Sequence, residues 1–172
     1  MRKIVLTFGF IGGGIIAVMM LITMAFQDQI GFDRGAIVGY TTMVLAFLMV
    51  FFGIKSYRDN VAGGTVKFGR ACKVGVLIAL VTSLCYVATW ELLYNKLMPD
   101  FMDKYAAFEV QKAKASGGSE ERIAVEVKRL ADFKETYRNP AVRLPLSFIE
   151  VFPVGLILTL VSSGIISRKR SA

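Results

Sequence analysis

The sequence predicts an all-α fold, an integral membrane bundle of four helices. Four apolar stretches support this prediction, because a helix of about 20 predominantly apolar residues crosses a hydrocarbon layer of about 30 Å. The stretches cover 4–26, 35–54, 74–94 and 144–167. Of the 172 residues, 55% are hydrophobic, which exceeds the ~45–50% of soluble domains. We therefore expect a single membrane domain over 1–172.

The first two stretches contain no charged residue, and small residues recur in them at helical spacing. Gly9 and Gly13 form one GxxxG pair, and Gly35 and Gly39 form another. The third and fourth stretches contain similar rows: Ala71, Gly75, Ala79 and Ser83, then Gly155, Thr159 and Ser163. In lipid, small residues let helices approach one another closely. We expect these rows to pack helices within one chain, and a dedicated dimer interface is the alternative.

The loop at 95–143 is predicted to form two helices outside the membrane, between the third and fourth spans. Aromatic residues at spacings of four and three give the first helix an apolar face: Phe101, Tyr105 and Phe108. A Ser/Gly break follows at 116–119, where Ser119 is a favourable N-cap for the second helix. That helix ends before Pro140. One interpretation is a solvated hairpin that caps the bundle, and the other is a hairpin that recognises a partner.

Basic residues divide the connections into two groups. Ten of them, with one acidic residue, lie at the termini and in the second connection: Arg2, Lys3, Lys55, Arg58, Lys67, Arg70, Lys73, Arg168, Lys169 and Arg170. The loop at 95–143 is nearly balanced in charge. Because excess Lys and Arg mark cytoplasmic loops, we expect both termini in the cytoplasm and an extracytoplasmic helical hairpin. We therefore interpret the net charge of +8 mainly as a signal of membrane topology. Affinity for anionic lipid headgroups is a second possibility, and we expect no nucleic-acid partner.

The sequence offers little catalytic chemistry. It contains no histidine, which excludes His-based acid–base catalysis, Ser-His triads and His-ligated metal sites. The two cysteines, Cys72 and Cys85, lie about 20 Å apart along one predicted helix, too far for a disulfide bond. We therefore expect no enzymatic activity, no catalytic residue, no cofactor and no metal.

Two carboxylates lie inside the predicted spans, Glu91 and Glu150. An ionised carboxylate is costly in hydrocarbon, so such residues usually face the bundle interior and find a partner there. For Glu91, the structural interpretation is an interfacial ion pair with Arg143 or Arg138. For Glu150, a structural and a functional role are both open. Pro153, three residues later, predicts a kink and a free backbone acceptor beside the carboxyl group.

An unusual motif lies in the second connection and continues into the spans. It reads FxGxxxYRDN, then GGTVxFGxAxxVG, and the fourth span adds a Glu-x-x-Pro-x-Gly-Leu pattern. In this order the motifs resemble an uncharacterised bacterial family of four-span membrane proteins, the domain of unknown function 4199 (DUF4199), over nearly the whole chain. The resemblance implies a bacterial cytoplasmic membrane and no defined activity. It marks as family-type positions Tyr57, Arg58, Asp59, Gly64, Phe68, Gly75, Glu150 and Pro153.

Three classes of function fit these observations. A non-enzymatic membrane protein that binds membrane lipids or a protein partner needs no further chemistry, and we expect this class. A subunit of a small transporter or channel would use Glu150 in its path and would form a homo-oligomer, because four short spans enclose little space. A membrane-embedded enzyme is disfavoured by the lack of histidine. The candidate functional residues are Glu91 and the family-type positions other than Gly75.

Overall fold

The computed structural model describes residues 1–168, and every regular element in this part of the chain is helical. Its seven α-helices are α1 (Arg2–Ala25), α2 (Gln27–Ile30), α3 (Phe32–Asn60), α4 (Phe68–Leu92), α5 (Phe101–Ala115), α6 (Glu120–Arg138) and α7 (Pro140–Ser167). A π-helical turn, Leu93–Leu97, directly follows α4. The all-α prediction is confirmed for these residues. Lys169 and Arg170, counted above among the basic residues of the C-terminus, lie outside the described residues.

Four helical segments of the described chain are long and apolar enough to cross a membrane. They are Arg2–Ala25, Phe32–Asn60, Phe68–Leu97 and Pro140–Ser167. These segments overlap the four predicted spans, and each of them extends beyond its apolar stretch at one end or both. The reason is that backbone hydrogen bonding continues through charged residues at the ends of a helix. At the start of α7, Pro140 occupies a first-turn position where its missing N–H costs nothing.

The chain divides into two compact units. The four-helix unit contains Met1–Thr89 and the C-terminal segment that begins at Phe148. The second unit contains Trp90–Ser147. Helices α4 and α7 therefore contribute residues to both units. The single membrane domain over 1–172 stays a prediction.

All four long helices supply side chains to the core of the four-helix unit. Buried representatives from α1, α3, α4 and α7 are Val5, Phe47, Ile54, Ile78 and Val151. The four-helix bundle expected from the sequence is therefore present in this unit. In a lipid environment such a core is stabilised by close packing, because lipid tails are as apolar as the side chains themselves.

Glycines allow the closest helix–helix approaches in the four-helix unit. A Cβ atom on Gly13 would lie 2.5 Å from Cβ of Cys85 in α4. A Cβ atom on Gly155 would lie 2.7 Å from Cε1 of Phe47 in α3. Packing within one chain, expected for the small residues, is confirmed at these two positions. It is wrong for Gly39, where a Cβ atom would meet no neighbour within 4 Å.

The second unit contains α5 and α6 together with the ends of α4 and α7. Ser119 is the N-cap of α6 as predicted, and its hydroxyl accepts a 3.4 Å hydrogen bond from the backbone N–H three residues later. On α5, the rings of Phe101 and Tyr105 stack with centroids 6.4 Å apart. Lys134 of α6 forms an ion pair with Asp103 of α5. The π-helical turn and the residues after it separate α4 from α5.

Candidate functional site

The most extensive polar arrangement joins Glu91, near the end of α4, to Arg143, near the start of α7. Nε of Arg143 donates to Oε1 of Glu91 at 2.5 Å, and Nη2 donates to Oε2 at 2.7 Å. Asn95, in the π-helical turn, donates from Nδ2 to the same Oε2 at 3.0 Å. A bidentate pair of this kind is stronger and more directional than a single charged hydrogen bond. We call the pair and its contacts the Arg143 clamp.

The third nitrogen of the Arg143 guanidinium binds the end of α6. Nη1 donates to the backbone oxygens of Tyr137 at 3.2 Å and Arg138 at 3.3 Å. These carbonyls lie in the last turn of a helix, where they lack helical partners. Cζ of Arg143 also lies 4.3 Å from the centre of the Tyr94 ring, a cation–π distance. Arg143 is 2% exposed, and every guanidinium nitrogen donates, so the clamp is a structural joint.

Aromatic side chains surround the Arg143 clamp. Trp90 donates from Nε1 to the hydroxyl of Tyr137 at 2.8 Å, and its ring meets Phe101 edge-on at 5.0 Å. The ring of Tyr137 also packs against Tyr94, with centroids 5.6 Å apart. No functional role was predicted from the sequence for Trp90, Tyr94 or Tyr137. The signal that points to them is the enrichment of Trp and Tyr at the ends of membrane spans.

The structure shows which of the two candidate partners forms the ion pair with Glu91. Arg143 pairs with Glu91, whereas Arg138 forms an exposed ion pair with Glu135 at 3.1 Å. The structural interpretation of Glu91 as one half of an ion pair is therefore confirmed.

Glu150 occupies a different environment in the four-helix unit. It lies on α7 and is exposed at the surface. The hydroxyl of Tyr86, on α4, donates to its Oε2 at 3.2 Å. The other carboxylate oxygen, Oε1, receives no hydrogen bond from the described residues. Glu150 therefore combines one bound and one open acceptor.

The hydrogen bond from Tyr86 agrees with the expectation that Glu150 faces another helix, but the carboxyl group lies at the exposed edge of the bundle and not in its core. The inward face of α7 is occupied by Val151 and Gly155, which are buried and four residues apart. Glu150 precedes Val151 by one residue, and one residue turns a helix by about 100°. The side chain therefore points away from the inward face. Pro153 is also exposed, and α7 remains helical on both sides of it.

The connection between α3 and α4 is anchored to the core from both sides. Tyr57 and Val66 are 7% and 8% exposed and belong to the core cluster. Gly63 and Gly64 have φ values of 69° and 88°, a region that glycine enters without a steric penalty. The N–H of Gly64 donates to the backbone oxygen of Arg58 at 2.9 Å. The motif therefore encodes a tight turn, and Tyr57 is a core residue.

One charged residue of this connection is already paired within the chain, whereas other charged and apolar side chains around it are exposed. Nε of Arg58 is bound to Oδ1 of Asp59 at 2.7 Å, so this charge is neutralised locally. Phe68 is 48% exposed and Val61 is 52% exposed. The lysines and the arginine around them are exposed as well: Lys55, Lys67, Arg70 and Lys73. We call these six exposed residues the basic end.

Comparison with protein families gives a match over almost the whole chain. The model of a family described as "Protein of unknown function (DUF4199)" matches residues 7–168. The chain belongs to the DUF4199 family. No similar protein was found among curated proteins or among solved structures. The resemblance inferred from the motifs is thus confirmed, and membership of DUF4199 assigns no activity.

Two surfaces among the described residues of this DUF4199 protein combine exposed charge with exposed apolar side chains. The basic end carries exposed cations beside exposed apolar side chains, and Glu150 carries an open carboxylate oxygen. Among residues 1–168, no three Cys, Asp or Glu side chains come together in a group that could hold a metal ion. The Arg143 clamp has no unused donor nitrogen with which to bind a ligand. Ionic binding is one chemistry that these two surfaces can supply.

Proposed function

We propose that this DUF4199 protein is a multi-pass, non-enzymatic protein of the bacterial cytoplasmic membrane that binds anionic lipid headgroups through its basic end. The exposure of Phe68 among exposed cations is the observation that carries this proposal. Apolar side chains gain burial at the boundary between headgroups and acyl chains, and cations there meet lipid phosphates. A loop anchored by Tyr57 and Val66 presents these groups without first having to be ordered.

The position of the basic end in the bundle agrees with a membrane-surface role. It lies where α3 ends and α4 begins. The N-terminus of α1 approaches the same end, because a Cβ atom on Gly53 of α3 would lie 3.2 Å from Cβ of Phe8 in α1. Arg2 and Lys3 are both exposed there. Together with the four basic residues of the basic end, Arg2 and Lys3 give six basic side chains that can reach one membrane surface.

The same charges support the proposed orientation. Because excess Lys and Arg are retained in the cytoplasm, the basic end and both termini are cytoplasmic. The segment with α5 and α6 is then an extracytoplasmic helical hairpin, in agreement with its nearly balanced charge. A protein partner, if the hairpin binds one, is met outside the cytoplasm.

Native mass spectrometry of the purified protein tests the lipid proposal. Four charges of the basic end are replaced together by Gln: Lys55, Lys67, Arg70 and Lys73. Each charge near an anionic surface contributes about 1 kcal/mol, so retention of phosphatidylglycerol should fall at least tenfold, while retention of phosphatidylcholine stays the same. The matched control replaces four exposed charges of the second unit by Gln: Lys112, Lys114, Arg122 and Lys128. Equal retention of anionic lipid by the two variants contradicts the proposal.

A subunit of a small transporter or channel is the second candidate, and the exposed position of Glu150 favours it. Assembly of several copies around this surface would place the carboxyl group in a shared path. In that case the purified protein is oligomeric, and Glu150→Gln abolishes proton or cation flux in vesicles without changing the melting temperature. A monomer that conducts no ions excludes this function.

A further inference from the structure

Glu150 carries an unsatisfied acceptor at a depth where membrane proteins rarely have one. It lies ten residues after the start of α7 and seventeen before its end, about 15 Å and 25 Å along the helix axis. If α7 crosses a layer of about 30 Å, the carboxyl group lies inside that layer. Intramembrane carboxylates are expensive and usually have a partner. The described residues provide only the hydroxyl of Tyr86.

The surroundings of the Glu150 carboxyl group are apolar and accessible from outside the bundle. Its neighbour Ile149 is 64% exposed, and Pro153, three residues further along the same face of α7, is exposed as well. Ile157, two helical turns further along α7, is 61% exposed. The described residues place no basic side chain in an ion pair with Glu150. A cation from outside the protein therefore has both an unbound oxygen to pair with and an apolar surface to cover.

We propose that Glu150 and Tyr86 form a binding site for an organic cation, an ammonium or phosphonium group carried on an apolar body that enters from the lipid phase. The cation pairs with the carboxylate, whose Oε2 is held by the Tyr86 hydroxyl, while the apolar body lies against Ile149 and Ile157. A cation near the Tyr86 ring also gains a cation–π interaction. The same chemistry is available from a soluble lipophilic cation and from the amine headgroup of a lipid. This site is distinct from the basic end, which attracts the opposite charge.

Equilibrium binding to the full chain in detergent micelles tests the site, with tetraphenylphosphonium as the probe and neutral triphenylphosphine oxide as its uncharged counterpart. The wild-type protein should bind the cation and not the neutral compound. Glu150→Gln keeps the acceptor for Tyr86 but removes the charge, and should weaken binding at least tenfold. Tyr86→Phe should weaken it about two- to fivefold. The matched control is Glu121→Gln, an exposed carboxylate on α6, which should leave the affinity unchanged.

Native mass spectrometry separates the two sources of the cation. If Glu150→Gln lowers retention of phosphatidylethanolamine, the site accepts an amine headgroup; if it lowers only phosphonium binding, the site accepts the soluble cation. Either result supports the site. Both measurements can still be interpreted if anionic lipid does not bind at the basic end, because neither of them depends on that surface. Equal cation affinity in the wild type and in Glu150→Gln or Tyr86→Phe overturns the proposal. A loss of dimer with unchanged cation binding overturns it in favour of a second copy of the chain.

Discussion

The guanidinium of Arg143 binds both carboxylate oxygens of Glu91, at 2.5 and 2.7 Å, across 52 positions of sequence. Arg143 is almost completely buried. The contact joins the end of α4 to the start of α7 within the second unit. Because Nη1 of Arg143 also binds the last carbonyls of α6, one side chain connects three helices.

Removal of Arg143 should therefore strongly destabilise the second unit. Arg143→Ala leaves the Glu91 carboxylate without its charged partner and two helix-terminal carbonyls without their donor, and breaking a buried ion pair costs about 3–5 kcal/mol. The side chain of Glu91 is 23% exposed, and solvent therefore reduces the expected loss to about 2–4 kcal/mol. Arg143→Lys should recover only part of it, since an ammonium cannot bind in a bidentate fashion. Denaturant titration followed by circular dichroism measures these values.

The control for this measurement is the exposed pair of Arg138 and Glu135. Arg138→Ala should cost less than about 1 kcal/mol, because exposed ion pairs contribute little. The double variant Glu91→Leu with Arg143→Met should be more stable than Arg143→Ala alone, since no charge is then left unpaired. Equal stability of Arg143→Ala and Arg138→Ala would show that the clamp is not a structural joint.

Glycine substitutions should separate packing positions from open ones. Gly155→Ala places a Cβ atom 2.7 Å from Cε1 of Phe47 and 2.9 Å from Cβ of Ala79. Overpacking of this kind costs about 1–3 kcal/mol. Gly39→Ala meets no neighbour, and should instead stabilise α3 by about 0.5–1 kcal/mol. Thermal unfolding in one detergent compares the two variants. A loss of stability at Gly39 would indicate that this position packs against another molecule.

Reporter fusions should give opposite results on the two sides of the membrane. A periplasmic phosphatase should be active when fused after Gly118 and inactive when fused after Arg58 or Arg170. A fluorescent protein that folds only in the cytoplasm should show the reverse. The physical reason is the retention of Lys- and Arg-rich connections in the cytoplasm. Phosphatase activity at Arg58 would invert the proposed orientation.

The pH dependence of α6 should include a contribution from Glu126. Arg129 donates two hydrogen bonds to this carboxylate, from Nε at 2.9 Å and from Nη2, and they lower the pKa of Glu126 below its ordinary value. Because the folded pKa is the lower one, the pair stabilises the helix above the unfolded pKa of Glu126. That contribution is lost as the pH falls through the folded pKa.

Carbon-detected NMR titration of the Glu126 carboxyl group measures the shift directly. Arg129→Gln should return its pKa towards about 4.3, the value for an isolated glutamate. Lys128→Gln, which removes an exposed charge from the opposite side of the same helix, should leave it unchanged. A Glu126 pKa that is the same with and without Arg129 would show that the pair does not persist in solution.

Some features of this chain could be read from short segments of sequence. Ser119 could be predicted as an N-cap, since a cap depends on a hydroxyl and a backbone N–H three residues away. The turn at Gly63 and Gly64 is local for the same reason. The partner of Glu91 could be narrowed only to Arg143 or Arg138. The choice depends on where α6 ends and α7 begins in space.

The orientation of Glu150 could not be predicted, because the stretch around it is apolar on all sides. Without a polar face there is no hydrophobic periodicity to show which side of α7 packs inward. The contacts of Val151 and Gly155 decide it. Tyr57 is a comparable case: its place in a polar motif suggested function, and its contacts make it part of the core.

By itself, the sequence determined that the chain is helical, that it has four segments able to span a membrane, which connections carry an excess of basic residues, and which family it resembles. These properties depend on composition and spacing within single segments. The tertiary structure alone decided that Arg143 is the partner of Glu91, that Gly155 packs while Gly39 does not, and that Glu150 is exposed beside Tyr86. Each of these depends on how helices pack against one another. The packing of apolar helices is determined by the shapes of their surfaces, which cannot be predicted from the hydrophobicity pattern of the sequence.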